Sequence, residues 1–201
     1  MRKLPPKYES HVDNIIYIFV ELISPYMSNI SPNAITSMGV IFDIIGFYLC
    51  FINKFVFGIL FFFIGYFFDC LDGYVARQYD KVTVFGDYYD HLSDLAKILG
   101  ILFISYKLNS NLFLKLLPAF LMLFLFVIIH IDLQEIKYNK RKDSGTLSSL
   151  SNVAKYFHGN NIKNLSYSRF FGCGNAVVIL LLLFSYIVLN RKFDLNGQKR
   201  K

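Results

Sequence analysis

At 201 residues the chain has the length of one domain. Its 55% hydrophobic content and mean hydropathy of +0.44 exceed what a soluble domain carries, and the excess falls in long blocks that point to a bilayer. The net charge of +7 gathers at the ends and in one polar stretch, with no stripe of aromatic and basic residues suited to bases, which argues for membrane-flanking charge and against a nucleic-acid partner.

Met1 to Ser10 is polar and the next segment contains Asp13 and Glu21, so no cleaved signal is expected. His11 to Met27 is amphipathic, short for a span, and interrupted by Glu21 and Pro25; it is expected to form a helix lying in the membrane interface. Ser31-Pro32-Asn33 punctuates the chain, with Pro32 placed near a helix start. A first span is expected over Ile35 to Ile52 and a second over Phe55 to Phe68. The second falls short of the roughly 20 residues a crossing needs, so its helix must continue through Asp69-Cys70-Leu71-Asp72 toward Arg77. A third helix runs from Gly86 to about Tyr106, a fourth from Leu112 to Ile131, and a last from Phe170 to Leu189, after a polar stretch from Asp132 to Ser168.

Five spans follow, joined as antiparallel neighbours by short links at Asn53-Lys54 and near Asn109 to Asn111. Arg2, Lys3, Lys7, Arg77, Lys81 and the run Lys137, Lys140, Arg141, Lys142 then share one side, which the positive-inside rule makes cytosolic. The tail Lys199-Arg200-Lys201 falls on the other side, a strain on this topology. The expected organisation is a tail and interfacial helix over 1–30, a membrane domain over 31–190 and a basic tail over 191–201. Cys50, Cys70 and Cys173 are far apart, form no CxxC pair and read as reduced. Abundant Lys, Asn, Ile, Phe and Tyr are what AT-rich coding produces, as in a protist or a large virus; for a virus, the host-cell membrane would hold the protein.

Carboxylates in or against membrane helices cost roughly 2.5–3.5 kcal/mol each at a span centre. Asp69 and Asp72 are three apart and share one helix face; Asp90 and Asp94 are four apart and share another. The turn between the two helices sets these faces opposite each other. Four converging acids would repel one another unless cations lay between them. Hard oxygen ligands favour Mg²⁺ or Mn²⁺, the lack of nearby His or Cys argues against zinc, and two ions suit four carboxylates. Gly73 and Ala76 remove bulk on the side of Asp69 and Asp72, Arg77 adds a fork suited to phosphate, and Gly86 spaces the helix one turn before Asp90. Asp87 reads equally well as a solvated helix-end acid.

Asp69-x-x-Asp72-Gly73-x-x-Ala76-Arg77, eight residues, then Gly86-x-x-x-Asp90-x-x-x-Asp94 resembles the signature of the CDP-alcohol phosphatidyltransferases at every fixed position. An accidental match would arise roughly once in ten billion frames on average residue usage. The resemblance implies an all-α integral membrane bundle of five to six transmembrane helices, a homodimer, and a site open to the cytosol. It assigns Asp69, Asp72 and Asp90 to the metals and makes Asp94 both a metal contact and the general base. Gly73, Arg77 and Thr83 would lie against the CDP moiety, as would the stretch Pro32-Asn33-Ala34-Ile35-Thr36, with Asn33 and Thr36 closing over the nucleotide. Tyr167-Ser168-Arg169 and Cys173-Gly174-Asn175 resemble eukaryotic phosphatidylinositol synthases, whereas Ile35-Thr36-Ser37-Met38-Gly39 is more similar to the choline and ethanolamine phosphotransferases.

The expected reaction is transfer of a phosphatidyl group from a CDP-linked lipid donor to an alcohol acceptor. CDP-diacylglycerol with an inositol-like polyol is favoured over a CDP-amino-alcohol with diacylglycerol. A cation transporter would have no use for Gly73, Ala76 and Arg77 beside the acids, and an inactive scaffold would tolerate loss of one acid. Arg169, at the start of the last span, is either a snorkelling anchor or an acceptor contact. Asp43, seven after Thr36 on the same face, is either a structural partner of Lys97 or catalytic, and His130 reads as interfacial.

Overall fold

The computed structural model describes residue 2 and residues 4–138, 165–192, 195 and 198. Its helices are α1 (His11–Ile23), α2 (Pro32–Phe51), α3 (Phe55–Gln78), α4 (Val84–Leu108), α5 (Ser110–Tyr138) and α6 (Cys173–Leu189). Lys3, Lys140, Arg141, Lys142 and the tail Lys199-Arg200-Lys201 lie outside the described residues, and of Lys137 only the backbone is described.

Local chemistry sets the helix ends. Ser10, Ser31 and Thr83 cap α1, α2 and α4, each hydroxyl oxygen accepting from the N–H three residues on, at 3.0, 3.3 and 3.0 Å. Pro32 occupies the first turn of α2, where its missing N–H costs nothing. α2 stops where Asn53 turns left-handed at φ 62°, with Lys54 N–H on the Leu49 carbonyl (2.8 Å) and Asn53 N–H on that of Cys50 (2.9 Å). α3 stops the same way, with Asp80 at φ 52° and Lys81 N–H on the Ala76 carbonyl (2.8 Å).

α2 and α3 pack antiparallel through glycines. Gly39 faces Gly65 and Gly46 faces Gly58; a Cβ on Gly39 would lie 3.2 Å from the Gly65 carbonyl oxygen, and one on Gly58 2.9 Å from that of Gly46. In lipid such close backbone approach substitutes for the hydrophobic drive that water supplies. One apolar core joins Phe62, Ile101, Leu108, Phe184 and Ile187 across α3, α4 and α6, and another joins Val20, Ile35, Leu71 and Val75 across α1, α2 and α3.

The bundle has two ends. At one, Asn53 and Lys54 link α2 to α3, the Arg191 guanidinium lies over the Phe55 ring, and Asn109 between α4 and α5 donates to the Asn190 carbonyl at 2.7 Å. At the other, Lys81 donates to the Ser28 carbonyl (2.6 Å), Gly86 at the start of α4 lies against Asn33 at the start of α2, and the start of α6 meets α1. α4 therefore runs from one end to the other.

Four helical stretches are long and apolar enough to cross a membrane: Pro32–Phe51, Phe55–Gln78, Ser110–Gln134 and Leu165–Leu189. The protein is an integral membrane protein. The remaining expected span, α4, has 25 residues, but Asp87, Asp90, Asp94, Lys97 and Lys107 break its apolar character. α5 continues past the expected Ile131 to Tyr138, so Asp132 and Gln134, expected in the polar connection, are helical and buried. His130 is fully buried, its Nδ1 lying 2.8 Å from the Ser168 hydroxyl. α1 buries Ile16, Tyr17 and Val20 and exposes Ile15, Ile18, Phe19 and Leu22.

Candidate active site

The acids meet where α3 and α4 face each other. One oxygen from each of Asp69, Asp72 and Asp90 can be chosen so that all three lie within 4.8 Å of one another. Asp72 is buried and accepts a hydrogen bond from the Thr36 hydroxyl of α2, so α2 orients one of the three carboxylates. Asp90 Oδ1 is buried without a hydrogen-bond partner, an arrangement that costs free energy unless something else satisfies the oxygen. Close carboxylates and an orphan oxygen both fit a hard divalent cation such as Mg²⁺ or Mn²⁺.

Asp94 lines the same cavity as Thr36, Asp43, Asp69, Asp90 and Lys97, beside the three-acid group rather than within it. The Lys97 ammonium lies 3.4 Å from Asp94 Oδ1 and 3.2 Å from Asp43 Oδ2. The two alternatives left open for Asp43 thus narrow to an ion pair with Lys97 on the cavity wall. Asp87 stands apart at the start of α4, 3.6 Å from His91 Nδ1.

The residues expected at the nucleotide form two groups. Asn33, Thr83 and Gly86 come together: a Cβ on Gly86 would lie 2.8 Å from Asn33 Oδ1 and 3.0 Å from Thr83 Oγ1. Gly73 and Arg77 form the second, with the guanidinium folded back so that a Cβ on Gly73 would lie 3.0 Å from Nη1. Ala76 is half-buried one turn after Asp72, and its carbonyl closes the end of α3. Arg169 goes elsewhere. Its Nη1 donates to the Lys7 carbonyl at 3.1 Å, and its Nε is buried with no hydrogen-bond partner.

Sequence reasoning missed the polar joint under α1. Asp13 is buried, accepting from the Tyr66 hydroxyl of α3 (2.6 Å) and from the Gly174 N–H at the start of α6 (3.1 Å). Asn175 accepts from the Val12 N–H at 3.1 Å. Of the residues singled out for a family resemblance, Gly174 and Asn175 therefore dock α1 onto α6, and Ser168 joins α5 to the segment before α6. The one local signal was Ser10 three residues before Asp13, a helix-start pattern that places the acid in the first turn. Nearby Glu9 is buried and accepts from the Leu4 N–H (3.1 Å); burial first, and the Asp13 charge second, push its carboxyl up to about 7.

Residues 29–190 match the CDP-alcohol phosphatidyltransferase family, and the chain belongs to it. Among curated proteins it is similar to CDP-diacylglycerol–inositol 3-phosphatidyltransferase 1 of Arabidopsis thaliana, 38% identical over 63 residues, 31% of this chain and 27% of that protein. A probable second enzyme of that name from the same plant is 38% identical over 63 residues, 31% of this chain and 28% of its own length. The match thus spans little more than a quarter of either relative. No solved structure matches the chain.

Proposed function

We propose that the protein transfers a phosphatidyl group from CDP-diacylglycerol to the hydroxyl of a polar alcohol, inositol-like by preference, and releases CMP. The observation that carries this reading is the convergence of Asp69, Asp72 and Asp90, with Asp94 in the same cavity. The inositol preference rests on the two Arabidopsis relatives and on the Tyr167-Ser168-Arg169 stretch.

In this reading Asp69, Asp72 and Asp90 hold two divalent cations, Asp94 contributing a contact. Bound there, the cations would neutralise the donor pyrophosphate and the departing CMP. Asn33, Thr36, Thr83 and Gly86 form one wall against the nucleotide, and Gly73, Ala76 and Arg77 the other, glycine and alanine leaving room for it. Asp94 takes the proton from the acceptor hydroxyl. That oxygen bonds to the phosphorus carrying the lipid, and the bond from this phosphorus to the bridging oxygen of CMP breaks. Arg169 stands near the N-terminal segment, so its part as an acceptor contact needs a substrate that reaches its buried Nε.

α4 completes a fifth crossing, supported by its course between the two ends. The exposed apolar stripe of α1 lies on the membrane interface, and the site opens to the cytosol at the end carrying Lys7, Lys81 and Arg169. The working form is a homodimer.

The test is CMP release by the purified protein in lipid nanodiscs. CDP-diacylglycerol would be offered with inositol, glycerol 3-phosphate or serine, and CDP-choline or CDP-ethanolamine with diacylglycerol, each with and without Mg²⁺ or Mn²⁺. Metal-dependent release with CDP-diacylglycerol and inositol is expected. Release only with a CDP-amino-alcohol and diacylglycerol would reverse donor and acceptor, and no release with any pair would sink the transferase reading.

A further inference from the structure

Asp43 sits in the middle of α2, 6% exposed, in a segment where a carboxylate is costly. Three helices combine to keep it there. α4 supplies the Lys97 ammonium, 3.2 Å from Asp43 Oδ2, and α3 supplies a gap at Gly65, where a Cβ would lie 2.3 Å from Asp43 Oδ1. That oxygen is buried and makes no hydrogen bond. A pair of this kind is a poor way to join helices, since apolar side chains of similar volume hold as well without the desolvation cost.

Lys97 connects the pair to the chemistry. It lies one turn after Asp94 on α4, and the same ammonium that meets Asp43 also donates to Asp94 Oδ1 at 3.4 Å. The acid assigned above as proton acceptor is thereby tied by one oxygen to a cation that α2 anchors, leaving Oδ2 for the acceptor hydroxyl. α2 also holds Asp72, through Thr36, two turns away on the same face.

We infer that Asp43 and Lys97 are positioning residues that fix the Asp94 carboxylate for proton transfer, with Gly65 providing the space that Asp43 needs. The inference rests on the transferase reading above and adds to it a relay from α2 to α4. Asp43 and Lys97, on the wall of the same cavity, act through Asp94.

The experiment uses the full chain in nanodiscs, with Asp43→Asn, Lys97→Met and the double variant. The rate per folded protein is measured with saturating CDP-diacylglycerol, Mn²⁺ and the acceptor found active; folding is checked by monodisperse elution and thermal midpoint. Asp43→Asn, which keeps the side-chain shape, should lower kcat about ten- to a hundredfold, within the scale of a misplaced general base, and leave donor and acceptor KM within about threefold. The double variant should be no slower than Lys97→Met alone, because the two residues act in series. A wild-type kcat in Asp43→Asn, or losses that multiply in the double variant, would overturn the relay. So would a raised donor KM at unchanged kcat, which would make Lys97 a donor contact. If Lys97→Met does not fold, the Asp43→Asn kcat and KM decide alone. A wild type without turnover would instead bring down the transferase reading and the relay with it.

Discussion

Changing Asp69 to Asn replaces one carboxylate oxygen by an NH₂ group at nearly constant shape. It should abolish CMP release while elution and thermal midpoint stay as in the wild type, because a ligand oxygen is lost from the three-acid group. Asp94→Asn should instead slow turnover more than about a hundredfold and leave donor binding largely intact. Equilibrium binding of a CDP-diacylglycerol analogue separates the two: loss of binding in Asp94→Asn would make that residue a metal anchor. Glu9 gives a pH-dependent case outside the spans. Its folded value of about 7 stands above the ordinary 4.5, so its contribution to docking the N-terminal segment is whole below about 4.5 and is lost as pH rises through about 7. The full difference is on the order of 3 kcal/mol. Hydrogen exchange of residues 4–10, corrected for intrinsic rates, should show weaker protection at pH 8 than at pH 6, and Glu9→Gln should remove the difference. The spacing of Asp69, Asp72, Asp90 and Asp94 was legible because helix periodicity alone puts each pair on one face. The pairing of Asp43 with Lys97 was legible as one of two alternatives, and the ion pair is present at 3.2 Å. Asp13 was missed because its contacts depend on how α1, α3 and α6 pack: its N–H donor at Gly174 lies 161 residues away.

Helix starts and stops were the most readable feature at the level of elements. Capping residues and Pro32 act locally, and expected and observed bounds of α2 to α4 differ by a few residues. The end of α5 was misjudged because Asp132 and Gln134 look like loop residues, yet the helix carries them into buried positions. The packing role of Gly39, Gly46, Gly58 and Gly65 passed unremarked; a seven-residue spacing becomes meaningful only once the antiparallel register pairs Gly39 with Gly65 and Gly46 with Gly58. A Cβ on Gly58 would meet Cys50 Sγ at 2.5 Å and the Gly46 carbonyl oxygen at 2.9 Å, and the backbone atom cannot move aside cheaply. Gly58→Ala should therefore destabilise the protein by about 1–3 kcal/mol, read from denaturant unfolding in mixed micelles. Gly73→Ala meets only the flexible end of Arg77, at 3.0 Å. It should leave stability within about 0.5 kcal/mol and raise donor KM, because it crowds the proposed nucleotide wall. Equal losses of stability in the two variants would contradict this distinction between backbone and side-chain neighbours.

Cationic residues stand at both ends of the bundle: Lys7, Lys81 and Arg169 where α3 turns into α4, and Lys54, Lys107, Arg191 and Lys192 at the other. The proposed topology puts the first end in the cytosol. A glycosylation acceptor inserted after Ser148 should stay unmodified in microsomes, whereas one placed after Asn190 should be modified; the reverse pattern would invert the topology. The overall hydropathy predicted a membrane bundle at once, but α4, expected as a span, is not among the four stretches apolar enough to cross by themselves. A helix that carries the acids of a polar site scores poorly for lipid on those same acids, and only its end-to-end path restores it to the bundle.

The joint between Asp13 and Gly174 sets an order of events during synthesis. Asp13 of α1 is satisfied by the Tyr66 hydroxyl and by an N–H that is made 161 residues after it. Until α6 has been inserted, α1 has no complete seat, and of these two donors Asp13 has only the Tyr66 hydroxyl. Docking α1 onto α6 therefore closes a loop of 161 residues. A nascent chain halted before residue 174 would hold its acid pairs, its glycine seam and the packing of α1 on α3, yet lack the α6 contacts that complete the seat of α1.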